Sequence, residues 1–403
     1  MRVCLVTTSY PRWGGDAADT FLGALARHLA GARGLDVTVL APGSPDAPAR
    51  ERCGRLRVHR VAYFWPRRLQ RLAYGAGVPW NLAHRPLAWL NLPCFLAAMG
   101  RAILRHAPHC DVIHAHWGGV GALAVGLRRF HRRPVVLTVH GSDWRSGLAP
   151  IRWATRWAVR RADAVTTPSR EFHAEMAGLR EGRGRCCFIP NAVELPPLED
   201  LARPRGSSAA GPHIISVGRL IPQRRHDLLI GVLAALRPRF PGATLTLVGD
   251  GPARAGLERQ ARDLGLAEAV QVTGWLDPAV VSRCLKRADL YVSPTTVESF
   301  GMAVAEAAAH GLPVVTTRVG YAAHLVLDGE TGYVVAPGDA DALAVAVAKA
   351  LADPEGCRRM GRRGRRRVED LGLVWPKVAA RFADLYAALA AERDPSRVPT
   401  DPR

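Results

Sequence analysis

Lysine is nearly missing from this chain. Three of its 55 basic residues are lysines, at positions 286, 349 and 377, so the formal charge of +20 on 403 residues is carried almost wholly by arginine. Two readings of that charge stay open. It marks a polyanionic partner, nucleic acid or an anionic membrane, or it is the arginine, alanine and glycine surplus that a GC-rich genome writes throughout a protein. The chain also lacks an unbroken apolar run long enough to span a bilayer, which argues against a transmembrane helix. Its start, MRVCLVTTSY, lacks the charged n-region, long apolar core and cleavage site of a secretory leader. It reads as a first strand, and a cytoplasmic protein is expected. The eight cysteines show no paired CxxC spacing, and Cys186 and Cys187 are adjacent. That favours thiols in a reducing compartment over a disulfide frame or a zinc site.

What is present is apolar and alternating. At 48% hydrophobic residues the chain can bury a sizeable core, and its length suits two or three domains. Short β-branched runs alternate with helical stretches. In the first half they are 3–9, 37–42, 56–63, 112–118, 134–142, 164–169 and 186–193; in the second they are 213–220, 243–251, 270–276, 290–296, 313–320 and 332–337. Continuous apolar runs separated by helices predict buried parallel sheets with helices on both faces. Two such series predict an α/β protein of two Rossmann-like, doubly wound domains facing each other across a cleft. The segment LPPLEDLARPRGSSAAGP (195–212) has four prolines and no period and reads as the linker. The domains are then 1–194 and 213–372. Ligands of such sheets bind at the carboxyl ends of the strands, so loops after strands are the places to search.

One of those loops is ESFGMAVAE, Glu298 to Glu306, after the run LYVSPTT. A helix starting near Phe300 puts Glu306 in its second turn and leaves Glu298 in the loop before it. Between them lie free backbone N–H groups of residues 300–302 at the positive end of a helix dipole, an anion site. A ligand with hydroxyls, then phosphate, then more hydroxyls would suit the two acids. The plainer reading makes Glu298 a cap and Glu306 a surface acid. In VGRLIPQRR, Arg219 follows a strand directly and Arg224 comes five positions later. Two arginines at that mouth suit a diphosphate, or form an ordinary exposed loop in an arginine-rich chain.

The segments VGRLIPQRR, VGDGP, SPTTVESFGMAVAEAAAHGLPVV and DGETGYVVAPGD resemble the C-terminal half of glycosyltransferase family 4. TSYPRWGGDAADTF, DVIHAHWG, VVLTVHGSDW and IPNAVE extend the resemblance to the N-terminal half. It implies a retaining enzyme of GT-B architecture that moves a sugar from a nucleotide-diphosphate-sugar to a glycan, lipid-linked or small glycoside acceptor in cell-surface or exopolysaccharide synthesis. On that resemblance, Arg219 and Arg224 would hold the diphosphate. Glu298 would bind donor-sugar hydroxyls, helped by the amides of Phe300, Gly301 and Met302. Glu306 would take the ribose hydroxyls, and the chain around Leu276 would line the base. Gly15 would let the backbone approach the phosphates, and His140 would contact the transferred sugar; without the resemblance His140 reads as a bonded structural histidine. The C-terminal stretch 373–392 resembles the last helix, which packs back on the first domain in this architecture. No cofactor is implied, and no metal is expected, since no Asp-x-Asp pair is placed to hold one on the diphosphate.

Three positions depart from the family pattern. Arg224 stands where lysine is usual, Arg225 where glycine is usual, and Gly320-Tyr321 replaces Gly-Gly. Tyr321 would narrow the donor pocket or touch the acceptor. His114 and His116 have the spacing of two histidines on one strand face, which reads as packing more readily than as a metal pair. The stretch 63–106 mixes Trp, Tyr and Phe with Arg67, Arg68 and Arg71. It is either a surface for an anionic membrane at the inner face of the plasma membrane or a helical excursion with buried aromatics. The stretch 357–372 reads as a solvated basic helix face. Two other functions stay open beside sugar transfer: a nucleotide-sugar epimerase of the same architecture, and a basic nucleic-acid-binding protein. For the latter, basic residues would have to interleave with stacking aromatics on one face; here acids and arginines converge at strand ends, so no nucleic-acid partner is expected.

Overall fold

The computed structural model describes residues 1–14, 16, 20–74, 77–180, 182, 184–197 and 211–393. Gly15 and most of the expected linker lie outside them. The chain divides into two compact units, Met1–Pro190 with the segment from Trp375 onward, and Asn191–Val374.

The first unit holds an eight-stranded sheet in the order β3-β4-β2-β1-β5-β6-β7-β8. Its strands are β1 (Arg2–Val6), β2 (Asp36–Pro42), β3 (Arg50–Cys53), β4 (Leu56–Val61), β5 (Val112–His116), β6 (Val135–Thr138), β7 (Ala164–Thr167) and β8 (Arg185–Phe188). All ladders are parallel except β3 with β4. Strands β5, β6 and β7 are buried at every position, as expected of apolar runs covered on both faces. β3 is the strand that no apolar pattern announced. Its residues RERC are all exposed, and an edge strand of charged side chains blunts pairing with other chains. The chain steps β4 to β5 to β6 to β7 in one direction across the sheet. Right-handed crossovers therefore put helices Ala88–His106, Gly118–Gly126 and Ala149–Arg161 on one face. The C-terminal helix Trp375–Arg393 packs against helix Thr20–Gly31. Its Tyr386 hydroxyl meets His114 Nδ1 at 2.6 Å.

The second unit holds a six-stranded, wholly parallel sheet in the order β11-β10-β9-β12-β13-β14. The strands are β9 (His213–Val217), β10 (Thr244–Val248), β11 (Val270–Val272), β12 (Leu290–Ser293), β13 (Val314–Thr317) and β14 (Gly332–Val335). Chain order runs outward from β9 on one side and from β12 on the other, so the topological switch lies between these neighbours. That is where open α/β sheets open a crevice at their carboxyl ends.

The basic segment 357–372 is only partly the solvated face expected of it. Helix Pro354–Asp370 does expose several arginines, but Arg365 is buried. Its guanidinium donates to Ala309 O at 2.8 Å and to Pro196 O at 2.6 Å. Among the described residues no helix is long and apolar enough to cross a membrane.

Candidate active site

The loops after β9 and β12 meet at the switch of the second sheet. After β9 the chain makes a turn at Pro222–Arg224, and Arg225 adopts the left-handed region at φ 51° before helix His226–Leu236. This is the position where the sequence departs from glycine, and the departure keeps the glycine-like backbone. Arg225 clamps Asp227 through contacts of 3.0 to 3.2 Å. The two loops are tied through one carbonyl: Gln223 O accepts from Thr295 Oγ1 at 3.0 Å, Thr296 N at 2.9 Å and Thr296 Oγ1 at 3.2 Å. Nothing in the spacing of these residues pointed to them, because the bonds span more than seventy positions.

That tie brings Arg224 onto Glu298. The Arg224 guanidinium donates to one Glu298 carboxylate oxygen, and the other oxygen accepts from Ser299 N at 3.0 Å. The side chains are 28% and 16% exposed, so this pair is better shielded from water than a surface bridge. Arg219 lies close to both. Although much of Arg219 is exposed, crowding around its guanidinium and then the Arg224 charge push its pKa down, while Glu298 pushes it up. The cluster is thus two cations around one anion, with net positive charge for a ligand. Sequence reading assigned both arginines to the diphosphate and Glu298 to the donor sugar; the structure couples Arg224 and Glu298 directly.

Beyond Glu298, Gly301 turns the chain at φ 92° into helix Met302–Ala309. The first N–H groups of a helix lack intrahelical partners, and this helix starts beside Glu298: a Cβ on Gly301 would lie 3.7 Å from the Glu298 Cγ. Gly320 approaches from the other side. A Cβ there would lie 2.5 Å from Glu298 O, so only glycine fits. Its neighbour corrects an expectation. Tyr321 is 3% exposed and stacks on Phe300 with centroids 5.0 Å apart and rings 7° from parallel. It props Phe300 from within the core instead of lining open surface, because the turn at Gly320 sends the next side chain inward.

Glu306 sits in the second turn of the helix, as its spacing demanded, and is partly exposed. The dense surroundings push its pKa up to about 7. Its carboxyl makes no ion pair among the described residues. Leu276 is partly exposed beside the exposed Trp275, and Asp277 caps the helix that follows through Ala279 N at 2.8 Å.

In the first unit the strand-end groups are neutral. His114 and His116 on β5 are fully buried. His114 bonds Tyr386 and, at 2.7 Å, Thr138 Oγ1. His116 Nδ1 lies 3.0 Å from Nε2 of His140, which follows β6 and keeps partial exposure. Burial lowers the pKa of His140 to about 4 and that of His114 to about 3, and lowers His116 well below its ordinary value. All three are uncharged at neutral pH. Trp117 and Phe21 enclose His140, at centroid distances of 4.7 and 5.7 Å. Asp143, which no pattern assigned, is buried and accepts from Gly118 N at 2.7 Å and from Gly141 N and Trp144 N at 3.1 Å each. It holds the His140 loop against the start of helix Gly118–Gly126. Among the described residues no cluster of three or more His, Cys, Asp or Glu could hold a metal ion.

Comparison with known proteins follows the same division. The family model described as Glycosyltransferase Family 4 matches residues 18–195, and that described as Glycosyl transferases group 1 matches residues 200–367. The chain is 34% identical over 296 residues to glycogen synthase of Mycobacterium tuberculosis, covering 71% of this chain and 70% of that protein. It is 33% identical over 321 residues to the GDP-mannose-dependent alpha-(1-6)-phosphatidylinositol monomannoside mannosyltransferase of Mycolicibacterium smegmatis, covering 75% and 83%. Among solved structures, sucrose-phosphate synthase from Thermosynechococcus elongatus is similar with a TM-score of 0.79 at 24% identity, over 97% of this chain and 99% of that one. Anabaena HepE, solved in complex with UDP-glucose, is similar with a TM-score of 0.71 at 19% identity, over 96% and 99%. At those identities the structures show the fold alone, which is GT-B.

Proposed function

The chain belongs to glycosyltransferase family 4, and from that premise we propose that it moves a sugar from a nucleoside-diphosphate sugar, with retention of anomeric configuration and without a metal. The observation that carries the donor reading is the Arg219–Arg224–Glu298 cluster at the switch of the second sheet, followed in the chain by a helix that carries Glu306, whose carboxyl has no ion pair among the described residues. In this reading the two arginines and the helix amides bind the diphosphate. Glu298 accepts from hydroxyls of the donor sugar while the bond from Arg224 fixes its carboxylate in place. Glu306 accepts from the ribose, and the chain at Leu276 borders the base.

Breaking the bond from the anomeric carbon to the diphosphate puts positive charge on the sugar and negative charge on the leaving oxygen. Preorganised cations and amides aimed at that oxygen stabilise the transition state more than the ground state. The leaving phosphate oxygen then takes the acceptor hydroxyl's proton as the new glycosidic bond forms on the same face. Neutral His140 suits a hydrogen bond to a sugar hydroxyl. The acceptor is a glycan, a lipid-linked saccharide or a glycoside, and the product belongs to cell-surface or storage polysaccharide. The reading includes a cytoplasmic enzyme touching an anionic membrane through 63–106.

A donor panel tests this. Thermal shift and nucleoside-diphosphate release are measured with UDP-, GDP-, ADP- and dTDP-sugars in the presence of a chelator, for wild type and Glu306→Ala. One donor should stabilise wild type, and the variant should lose that response. A wild type that responds to none overturns the donor reading; a response that needs added metal overturns the metal-free part.

A further inference from the structure

We propose that the outer face of helix Ala149–Arg161, together with that of helix Ala88–His106, docks on an anionic phospholipid bilayer. The proposal extends the membrane reading of 63–106 to an element outside that stretch. The helix APIRWATRWAVRR carries no acid. It sets Arg152, Arg156 and Arg160 four residues apart and Trp153 beside them, 69% exposed, along a shallow groove of about 320 Å3. Residues at that spacing share one helix face. The turn Arg128–His131 lies alongside, since the Arg128 guanidinium donates to Arg161 O at 2.8 Å, and Phe130 there is 63% exposed.

The nearby acids do not cancel this charge. Asp163 is held by Arg128 at 2.7 Å, and Glu171 and Glu175 are both held by Arg145. Helix Gly118–Gly126 packs against both larger helices. It fits so closely that a Cβ on Gly118 would lie 2.0 Å from Thr155 Oγ1. All three helices share one side of the sheet, and helix Ala88–His106 adds the exposed Trp89, Leu90 and Leu104. Arginines that attract anionic headgroups, tryptophans of interfacial preference and leucines that gain only by leaving water suit a bilayer surface. Nucleic acid would use the cations and the aromatic rings but not the leucines.

Co-sedimentation with vesicles of phosphatidylglycerol and phosphatidylcholine, against phosphatidylcholine alone, tests it on the full chain. Wild type should bind the anionic vesicles in low salt. Trp153→Ser, and separately Arg156→Gln with Arg160→Gln and Arg161→Gln, should each weaken binding by at least about tenfold, with melting temperature as the folding control. Loss confined to Leu90→Ser with Leu104→Ser, with the 149–161 variants binding like wild type, overturns this proposal and leaves the reading of 63–106 standing. Failure of wild type to bind overturns both. Duplex DNA binding that the arginine variants abolish, without vesicle binding, assigns the face to nucleic acid instead.

The buried pair His116 and His140 carries a second inference, independent of the first. We infer that His116 is a positioning residue that holds His140 in the tautomer protonated on Nδ1. Both rings are neutral, so each carries one proton, and the 3.0 Å contact between His116 Nδ1 and His140 Nε2 contains one of them. His116 Nε2 is buried with no partner among the described residues. If His140 supplied the shared proton, His116 would carry its own on that isolated nitrogen. A buried N–H without an acceptor costs more than a bare ring nitrogen, and such donors are rare. The proton therefore sits on His116 Nδ1, and His140 presents Nδ1–H as a donor. Nitrogen NMR of histidine-labelled protein should show His140 protonated on Nδ1. His116→Leu should shift the tautomer balance of His140, and His116→Asn, which keeps a donor at the same place, should restore it. Protonation of His140 on Nε2 in wild type, or an unchanged tautomer in His116→Leu, overturns the inference. Neither readout depends on finding the donor.

Discussion

The two units repeat one plan, a parallel sheet whose chain order reverses at an inner pair of strands, yet they put opposite chemistry at the strand ends. After β9 and β12 stand Arg219, Arg224 and Glu298, charged and partly open. At the end of β5 stands His116 and just after β6 stands His140, and burial keeps both uncharged. A charge is kept where water still reaches it or a partner offsets its desolvation; an imidazole packed between Phe21 and Trp117, as His140 is, loses its proton instead. The first arrangement suits a phosphate. The second suits a hydroxyl.

Substitutions should break that contrast in graded fashion. Arg219→Ala and Glu298→Ala should each lower turnover at least about 100-fold, the scale of losing one preorganised contact to a developing oxyanion. Steady-state kinetics with the donor found by the panel decides this, and near-normal turnover in either variant removes that residue from the mechanism. Because Arg224 and Glu298 share a bond, combining Arg224→Ala with Glu298→Ala should cost less than the two single losses summed.

His140→Ala should cost less, about fivefold in kcat/KM, because a neutral hydrogen bond contributes on the order of 1 kcal/mol. A loss as large as that of Arg219→Ala would mean that the two units do not differ in the way their charges suggest.

Glu306 gives a pH signature. Burial raises its pKa to about 7, so the fold favours the protonated form. That contribution is fully present below the unfolded-state pKa and disappears as pH rises through the folded-state value. Glu306→Gln should therefore melt above wild type near about pH 8, and the two should converge toward about pH 5. Equal melting temperatures across that range would show that Glu306 ionises without penalty.

The smallest effect belongs to Arg225. A left-handed backbone costs a side-chain-bearing residue about 1–2 kcal/mol, and the exposed contact with Asp227 returns less than about 1 kcal/mol. Arg225→Gly should stabilise the second unit by up to about 1 kcal/mol. Denaturant unfolding measures it, and a loss of stability would show that the Asp227 clamp outweighs the strain.

Much of this protein was determined by local pattern. Thirteen apolar runs became thirteen strands, and those buried at every position, such as β5, β6 and β7, have the continuous hydrophobicity that burial on both faces of a parallel sheet demands. Glu306 fell in the second turn of its helix because helical pitch is a local property. β3 escaped because an exposed RERC strand has nothing apolar to reveal it. The structure alone decided what depends on distant residues. It set Arg224 on Glu298, seventy-four positions away. It turned Tyr321 inward beneath Phe300 and buried Arg365 against two carbonyls in what reads as a solvated basic run. Side-chain charge and spacing name a residue's capacity; which partner satisfies it is settled only when separate loops are brought together and water is excluded between them.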